Sequence, residues 1–168
     1  MRSRLKLNKG GFTIIEVMIV LAIAGLILLI VFLAVPALQR SERNTGRKED
    51  AGRLVTAFQD FISNSSGNLP KTTSDCQSIL SDAGTLNQYK GLQCVSSLSG
   101  PNQMAIIISS GSGGKMLSTP TGNELEFVEG ATCSGTSSYN SSSSQQQTAL
   151  FYSLESGGGN YQWACENA

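Results

Sequence analysis

One acidic side chain lies inside an otherwise apolar segment near the start of the chain. From Phe12 to Leu38, the residues that are not clearly apolar are Thr13, Glu16, Gly25 and Pro36. A carboxylate in hydrocarbon is costly and normally has a partner of opposite charge. The segment contains no lysine or arginine that could be this partner. Glu16 is therefore the first candidate for a functional residue.

Cleavage of the chain would create the missing cation. The apolar segment follows Lys9-Gly10-Gly11, and a cut between Gly11 and Phe12 would expose a new α-amine. Its ordinary pKa of about 7.7–8.0 keeps it largely protonated near neutral pH. Residues four apart share a helix face, so the Phe12 amine could pair with Glu16 of the same chain. It could equally pair with Glu16 of a neighbouring copy, or Glu16 could lie unpaired among lipid headgroups.

The remaining chemistry is limited by four cysteines and by the absence of histidine. The cysteines all follow the apolar segment, at Cys76, Cys94, Cys133 and Cys165. A zinc site is disfavoured because there is no C-x-x-C pair and no histidine. Disulfides persist outside the cytoplasm. Of the possible connectivities, pairing between sequence neighbours would join Cys76 to Cys94 and Cys133 to Cys165.

Neither catalysis nor a cofactor is expected. Histidine is the commonest general base and metal ligand, and the chain has none. No nucleophile elbow or phosphate-binding loop occurs. The spacing of Glu124, Glu126 and Glu129 matches no calcium loop. We therefore predict a protein that is not an enzyme, with no catalytic, cofactor-binding or metal residues.

Charge is distributed unevenly along the chain. The first eleven residues carry four basic residues and no acidic one, at Arg2, Arg4, Lys6 and Lys9. Basic residues before a membrane span hold that end in the cytoplasm. Beyond Arg53, three basic side chains stand against eight acidic ones. Specific nucleic-acid binding is not expected, because phosphate contacts need clustered lysine and arginine.

These residues must be positioned by a long helix. A bilayer span needs about 20 residues as a helix, and the apolar segment exceeds that length. The helical period then continues through residues 39–63, with one apolar face. That face is formed by Ala51, Leu54, Val55, Phe58, Phe61 and Ile62. Pro36 removes a backbone hydrogen bond and predicts a kink near residues 32–36, and Gly25 is a second weak point.

A charged girdle, defined as residues 40–53, separates the two apolar parts of this helix. Its charged residues are Arg40, Glu42, Arg43, Arg47, Lys48, Glu49, Asp50 and Arg53. One interpretation is a solvated helix surface. The other is that these charges pair between neighbouring helices of an assembly.

The rest of the chain predicts a connector followed by a sheet. A short helix is expected over residues 74–83. Strands are expected over Met104–Ser109, Lys115–Ser118, Glu124–Val128, Thr148–Leu154 and Asn160–Cys165, and the last two would form a hairpin closed by residues 156–160. Short adjacent strands favour an antiparallel sheet packed on the apolar helix face. The low-complexity stretch Ser134–Gln147 is expected to be a surface loop that builds no core.

The N-terminal residues resemble a known signal. Lys9-Gly10-Gly11-Phe12-Thr13-Ile14-Ile15-Glu16-Val17-Met18-Ile19-Val20 resembles the class III signal of type IV pilins and of the pseudopilins of type II secretion. The resemblance implies that a prepilin peptidase cuts after Gly11 and methylates the new terminus, Phe12. It also implies that Glu16 contacts the N-terminus of an adjacent subunit. Many family members have a helix-breaking proline earlier in the rod than Pro36.

The resemblance is close over residues 6–62, and beyond them it is architectural. It implies an α+β, pilin-like fold with a long N-terminal helix, an antiparallel sheet and a disulfide-bounded C-terminal loop. The expected segments are a cleaved leader (1–11), a hydrophobic transmembrane and polymerisation helix (12–38), an amphipathic helix (39–63), a connector (64–102) and a sheet head (103–168).

The expected function is that of a structural subunit of a type IV pilus, serving adhesion, surface motility or DNA uptake. A pseudopilin of a type II secretion system is the alternative. The expected partners are further copies in a helical filament, prepilin peptidase and the inner-membrane pilus assembly machinery. The precursor would lie in the cytoplasmic membrane with its N-terminus inside, and the product in an extracellular pilus.

Overall fold

The structure is a computed structural model that describes residues 10–108, 115–116, 118–142 and 147–168. Contacts divide the chain into two compact units, of which one ends at Gln39 and the other is Arg40–Ala168. Helix α1, Ile14–Asn64, contributes residues to both. Most of the predicted leader, the end of the first predicted strand at Ser109 and the turn after it lie outside the described residues.

The part of α1 up to Gln39 exposes its apolar side chains. The large hydrophobic residues from Phe12 to Leu38 are between 40% and 89% exposed. Among the described residues, α1 is the one helix with an 18-residue stretch that is long and apolar enough to cross a membrane, and none of that stretch is buried. The long apolar N-terminal helix is confirmed. Pro36 lies inside it.

In the second unit, α1 buries the apolar face that its periodicity predicts. Ala51, Leu54 and Phe58 are at most 1% exposed, and Phe61 and Ile62 pack at the edge of the same core. The ring of Phe58 stacks on that of Phe127, with 4.5 Å between centroids. This core joins the helix to the sheet.

The predicted short helix is α2, Thr73–Asp82. Thr72 and Asp75 form a reciprocal capping box at its start, which satisfies two free backbone N–H groups. Ile79 is fully buried in the core that also contains Phe58. The helix therefore ties the connector to the same core as α1.

Eight strands form two sheets. They are β1 (Gln93–Val95), β2 (Gln103–Ile108), β3 (Lys115–Met116), β4 (Glu124–Glu129), β5 (Ala131–Cys133), β6 (Ser138–Ser141), β7 (Thr148–Gly157) and β8 (Asn160–Asn167). The first sheet has the order β1-β2-β4-β7-β8 and the second β3-β6-β5. The predicted hairpin is β7–β8. It turns through Gly158 and Gly159, whose φ values of 61° and 78° favour glycine.

The five-stranded sheet is mixed, whereas the sequence predicted it to be antiparallel. Strand β2 runs parallel to both β1 and β4, and only the β4–β7 and β7–β8 pairs are antiparallel. The prediction assumed that short connections are hairpins. Instead, the chain leaves the sheet after β1 and after β2. Leu98 packs in a second hydrophobic cluster, and β3 joins the other sheet. Each excursion returns the chain to the same end of the sheet.

The low-complexity stretch contributes to a core, contrary to the prediction for residues 134–147. Its strand β6 carries Tyr139, which is 5% exposed. Tyr139 packs in the second hydrophobic cluster with Val128, Phe151 and Trp163. One aromatic residue among many serines is sufficient, because an aromatic ring buries a large apolar area.

Both disulfides join neighbouring cysteines along the chain. Cys76 on α2 is bonded to Cys94 on β1, and Cys133 on β5 is bonded to Cys165 on β8. The second bond therefore links the two sheets. No free cysteine is present.

Candidate functional site

The bond between Gly11 and Phe12 lies outside any helix. Residues 10–13 have no regular secondary structure and are exposed, and α1 begins at Ile14. A Cβ atom added at Gly10 or Gly11 would meet nothing within 4 Å. The chain itself therefore does not require glycine at these positions for space. An accessible, non-helical peptide bond is what a peptidase needs in order to bind the backbone on both sides of a cut.

Glu16 and Thr13 form a capping box at the start of α1. The backbone N–H of Thr13 donates to Glu16 Oε2 at 2.9 Å, and the Thr13 hydroxyl donates to the same oxygen at 2.8 Å. In return, the N–H of Glu16 donates to Thr13 Oγ1 at 3.4 Å. This reciprocal arrangement satisfies free N–H groups of the first turn. The other carboxylate oxygen, Oε1, takes part in none of these bonds.

The sequence missed the role of Thr13. In the uncut chain, it is Thr13 that contacts Glu16, whereas the sequence predicted either a newly exposed Phe12 amine as its partner or no partner among lipid headgroups. A signal was present, because Thr-Ile-Ile-Glu fits the pattern in which a threonine is followed three residues later by a glutamate. Charge pairing was predicted instead, because Glu16 lies in an apolar segment where a carboxylate normally needs a cation.

Arg43 and Arg47 of the charged girdle are paired inside their own unit. Arg43 Nη2 lies 2.8 Å from Glu155 Oε2, and Arg47 Nη2 lies 3.2 Å from Glu155 Oε1. The hydrogen bonds from Arg43 hold the pKa of Glu155 below its ordinary value. Asn44 exchanges two hydrogen bonds of 2.9 Å with the backbone of Glu155. These residues fasten α1 to the end of strand β7.

Arg47 is 3% exposed, so neither interpretation of the girdle describes it. Its guanidinium lies 5.3 Å from the ring centroids of Tyr89 and Tyr161 and donates to the carbonyl oxygen of Ser153 at 3.2 Å. A cation over aromatic faces is attracted by the ring quadrupole. Tyr89 also donates to the Ser153 carbonyl, and burial raises its pKa to about 12, so it stays protonated.

Asp50 is fully buried and anchors the connector. Its carboxylate accepts hydrogen bonds from the backbone N–H groups of Asn87, Gln88 and Tyr89 at 3.0, 2.6 and 3.3 Å. Several N–H groups can stabilise a carboxylate without a cation. Asp50 therefore fixes the connector against α1, a role that periodicity could not reveal.

Glu124, Glu126 and Glu129 of strand β4 do not form one site. The alternation of strand residues places Glu124 and Glu126 on one face of β4 and Glu129 on the other. Glu124 accepts hydrogen bonds from the backbone and the hydroxyl of Thr121. Glu129 is 2% exposed, and burial raises its pKa to about 7. Its Oε1 and the adjacent Thr148 Oγ1 are buried and have no hydrogen-bond partner among the residues that the structure describes.

Comparison with known proteins identifies the N-terminal segment. The family model of the prokaryotic N-terminal methylation motif matches residues 6–32. No curated protein and no solved structure matches the chain. The matched residues include the exposed Gly11–Phe12 bond, the Thr13–Glu16 capping box and most of the exposed apolar part of α1. Residues 6–32 are therefore a class III prepilin-type signal, the N-terminal signal of type IV pilins and pseudopilins.

Proposed function

We propose that this chain is a structural subunit of a type IV pilus, cut between Gly11 and Phe12 and polymerised through its N-terminal helix. The observation that carries the proposal is Glu16. It is the one charged residue in the exposed apolar part of α1, up to Leu38, and lies just after a non-helical, accessible bond. An exposed apolar surface of this size needs lipid or protein to cover it. A filament of identical helices supplies that cover.

Processing and assembly are coupled in this proposal. Prepilin peptidase removes the basic leader and methylates Phe12, whose amine then pairs with Glu16 of an adjacent subunit. The cut discards Arg2, Arg4 and two lysines, which hold the precursor's N-terminus on the cytoplasmic side of the membrane. The unit Arg40–Ala168, with its two disulfides, then lies outside. The inner-membrane pilus assembly machinery transfers the subunit from the membrane to the growing pilus.

Gly25 and Pro36 are the proposed weak points of the apolar helix. Pro36 cannot donate the backbone hydrogen bond that other helical residues donate. An added Cβ at Gly25 would meet open space, so nothing in the chain itself requires glycine there. Both positions therefore allow α1 to bend when it packs among other copies.

A pseudopilin of type II secretion is the second candidate, because the matched motif is shared by pilins and pseudopilins. Both candidates predict the same cut, the same methylation and the same helix packing. They differ in the product, which is an extracellular pilus in one case and a component of a type II secretion system in the other. The abundance of the chain in material sheared from the cell surface separates them.

Mass spectrometry of the mature protein from its native host tests the proposal. The expected N-terminus is methylated Phe12, and Gly11→Val should leave the uncut precursor in the membrane. Gly25→Val is a matched control, because an added Cβ meets open space at both positions, and its cut should be normal. Finding Met1 intact on the assembled wild-type protein would overturn the proposal.

A further inference from the structure

We propose that Thr13 is a positioning residue for assembly, which holds one oxygen of Glu16 and leaves the other for the amine of an adjacent subunit. The inference rests on the proposed function and assigns a role to a residue beside the cut. It starts from the two donors of Thr13, its N–H and its hydroxyl, that converge on Glu16 Oε2.

Before assembly, the Glu16 carboxylate already needs a hydrogen-bond donor. A subunit that waits in the membrane has no neighbour whose amine could reach Glu16. An unsatisfied carboxylate or N–H group is costly in hydrocarbon, because no water is present to bond it. Thr13 meets both needs, since it donates twice to the carboxylate and accepts from the N–H of Glu16. The capping box therefore lowers the cost of keeping Glu16 in the membrane.

Thr13 also fixes the direction of the Glu16 carboxylate. An ionised carboxylate has two oxygens, each of which can accept more than one hydrogen bond. Both Thr13 donors use Oε2, and the carboxylate is held against the first turn of α1. Oε1 is left to receive the incoming amine. Thr13 thus selects one orientation of Glu16 before the neighbour arrives, which lowers the entropy cost of binding.

Two substitutions separate the effect of the Thr13 hydroxyl from that of the backbone. Valine has nearly the shape of threonine but neither donates nor accepts through its side chain, whereas serine keeps the hydroxyl. Thr13→Val therefore removes the hydroxyl hydrogen bond and leaves the backbone N–H of residue 13 in place. Thr13→Ser should preserve the capping box, since serine is an equally good residue at this helix position.

The test uses the full-length chain in its native host, as wild type, Thr13→Val and Thr13→Ser. Three quantities are measured: the mature N-terminus by mass spectrometry, the membrane pool by blotting, and the filament yield by microscopy. All three proteins should be cut at Phe12 and be equally abundant in the membrane. Thr13→Val should lower filament yield on the order of tenfold, as expected for a lost hydrogen bond to a charged group, and Thr13→Ser should restore it.

A spectroscopic measurement separates positioning from a general effect on the helix. In the mature chain reconstituted in lipid vesicles, the carboxyl ¹³C resonance of Glu16 should shift in Thr13→Val and stay unchanged in Thr13→Ser. The resonance is assigned with the Glu16→Gln variant, in which the carboxyl signal of Glu16 is lost.

The inference is overturned if Thr13→Val assembles as well as wild type, if Thr13→Ser is equally defective, or if the Glu16 resonance does not respond. A block of cleavage in Thr13→Val would also overturn it, because Thr13 would then act in peptidase recognition. A wild-type chain that is neither cut at Phe12 nor found in filaments contradicts the proposed function itself.

Discussion

The two parts of helix α1 treat charge in opposite ways. Up to Gln39, the helix has one carboxylate, no cation and an exposed apolar surface. From Arg40 onward, it has charged residues at close spacing, and two of them, Arg47 and Asp50, are buried with partners from the same unit. The second unit therefore supplies partners for these two buried charges from its own residues, whereas the first leaves its apolar surface exposed.

The contrast follows from where the partners are encoded. Arg47 and Asp50 find theirs more than thirty residues away along the chain, in β7 and the connector, so folding brings them together. Among the described residues, the hydrogen-bond partner of Glu16 is Thr13, three residues before it in the first turn of α1. In our proposal, the second carboxylate oxygen of Glu16 receives the amine of another copy. Substitutions in the first part should therefore reduce filament yield, and substitutions in the second part should reduce the stability of its fold.

The largest effect is expected from Glu16→Ala. The variant should be cut and inserted normally, yet filament yield should fall severely, because the Phe12 amine loses its carboxylate in an apolar surrounding. Filaments counted by electron microscopy measure this. Glu49→Ala is the control, since Glu49 is also an exposed acid of α1. Normal filaments from Glu16→Ala would break the contrast, because the first part of α1 would then need no charged partner.

Within the second unit, the largest loss of stability is expected from removing the disulfide that links the two sheets. Cys133→Ser or Cys165→Ser opens a disulfide with a sequence separation of 32. The expected loss is roughly 2–5 kcal/mol of unfolding free energy, because the unfolded chain gains freedom. Thermal unfolding of a residue 39–168 fragment under oxidising conditions measures it. An unchanged melting temperature would show that the bridge does not constrain this unit.

Asp50→Ala tests whether buried charge in the second unit is satisfied internally. The substitution leaves three buried or half-buried N–H groups of residues 87–89 without their acceptor. We expect a loss of about 3–4 kcal/mol, because orphaned donors keep their full desolvation cost. Asp50→Asn keeps one acceptor and should lose less. Asp60→Ala, at an exposed position of the same helix, is the control and should change stability little.

Urea unfolding of the residue 39–168 fragment provides the measurement. If Asp50→Ala and Asp60→Ala are equally stable, the connector is held by its apolar contacts and Asp50 is dispensable. The buried charge would then be a tolerated residue and not an anchor.

Local patterns were sufficient to predict much of this fold. The apolar run and the period of residues 51–62 predicted α1 and its buried face, and the positions of five strands were close to those observed. The N-terminal signal is recognisable because its charge, glycine, aromatic and acidic residues follow one another directly. Each of these features depends on residues that are close in sequence.

Features that depend on distant residues were missed. Nothing near Arg47 indicates that Glu155 will face it, and nothing near Asp50 indicates the N–H groups of the connector. The parallel strand pairs depend on the chain leaving the sheet between strands, which strand periodicity does not encode. Tyr139 was overlooked because composition averages a single aromatic residue into its serine-rich surroundings.

Glu129 differs from Arg47 and Asp50, and the pH dependence of stability that it causes is the smallest effect that we expect. It is buried with Oε1 unpartnered, and burial raises its pKa from the ordinary 4.5 to about 7, which the charge of Lys71 only partly opposes. Between these two values the folded unit binds a proton that the unfolded chain has lost. The stabilisation from Glu129 is therefore complete below pH 4.5 and is lost as the pH rises through 7.

We expect wild type to lose on the order of 2–3 kcal/mol more stability between pH 5 and pH 8 than Glu129→Gln does. The amide of glutamine stays neutral, so the folded unit of this variant buries no charge at residue 129 at pH 8. Urea unfolding at both pH values measures the difference. Glu166→Gln, at an exposed position of β8, is the control and should keep the wild-type pH dependence. If Glu129→Gln keeps it too, Glu129 is solvated or paired, and it does not differ from Arg47 and Asp50 in this respect.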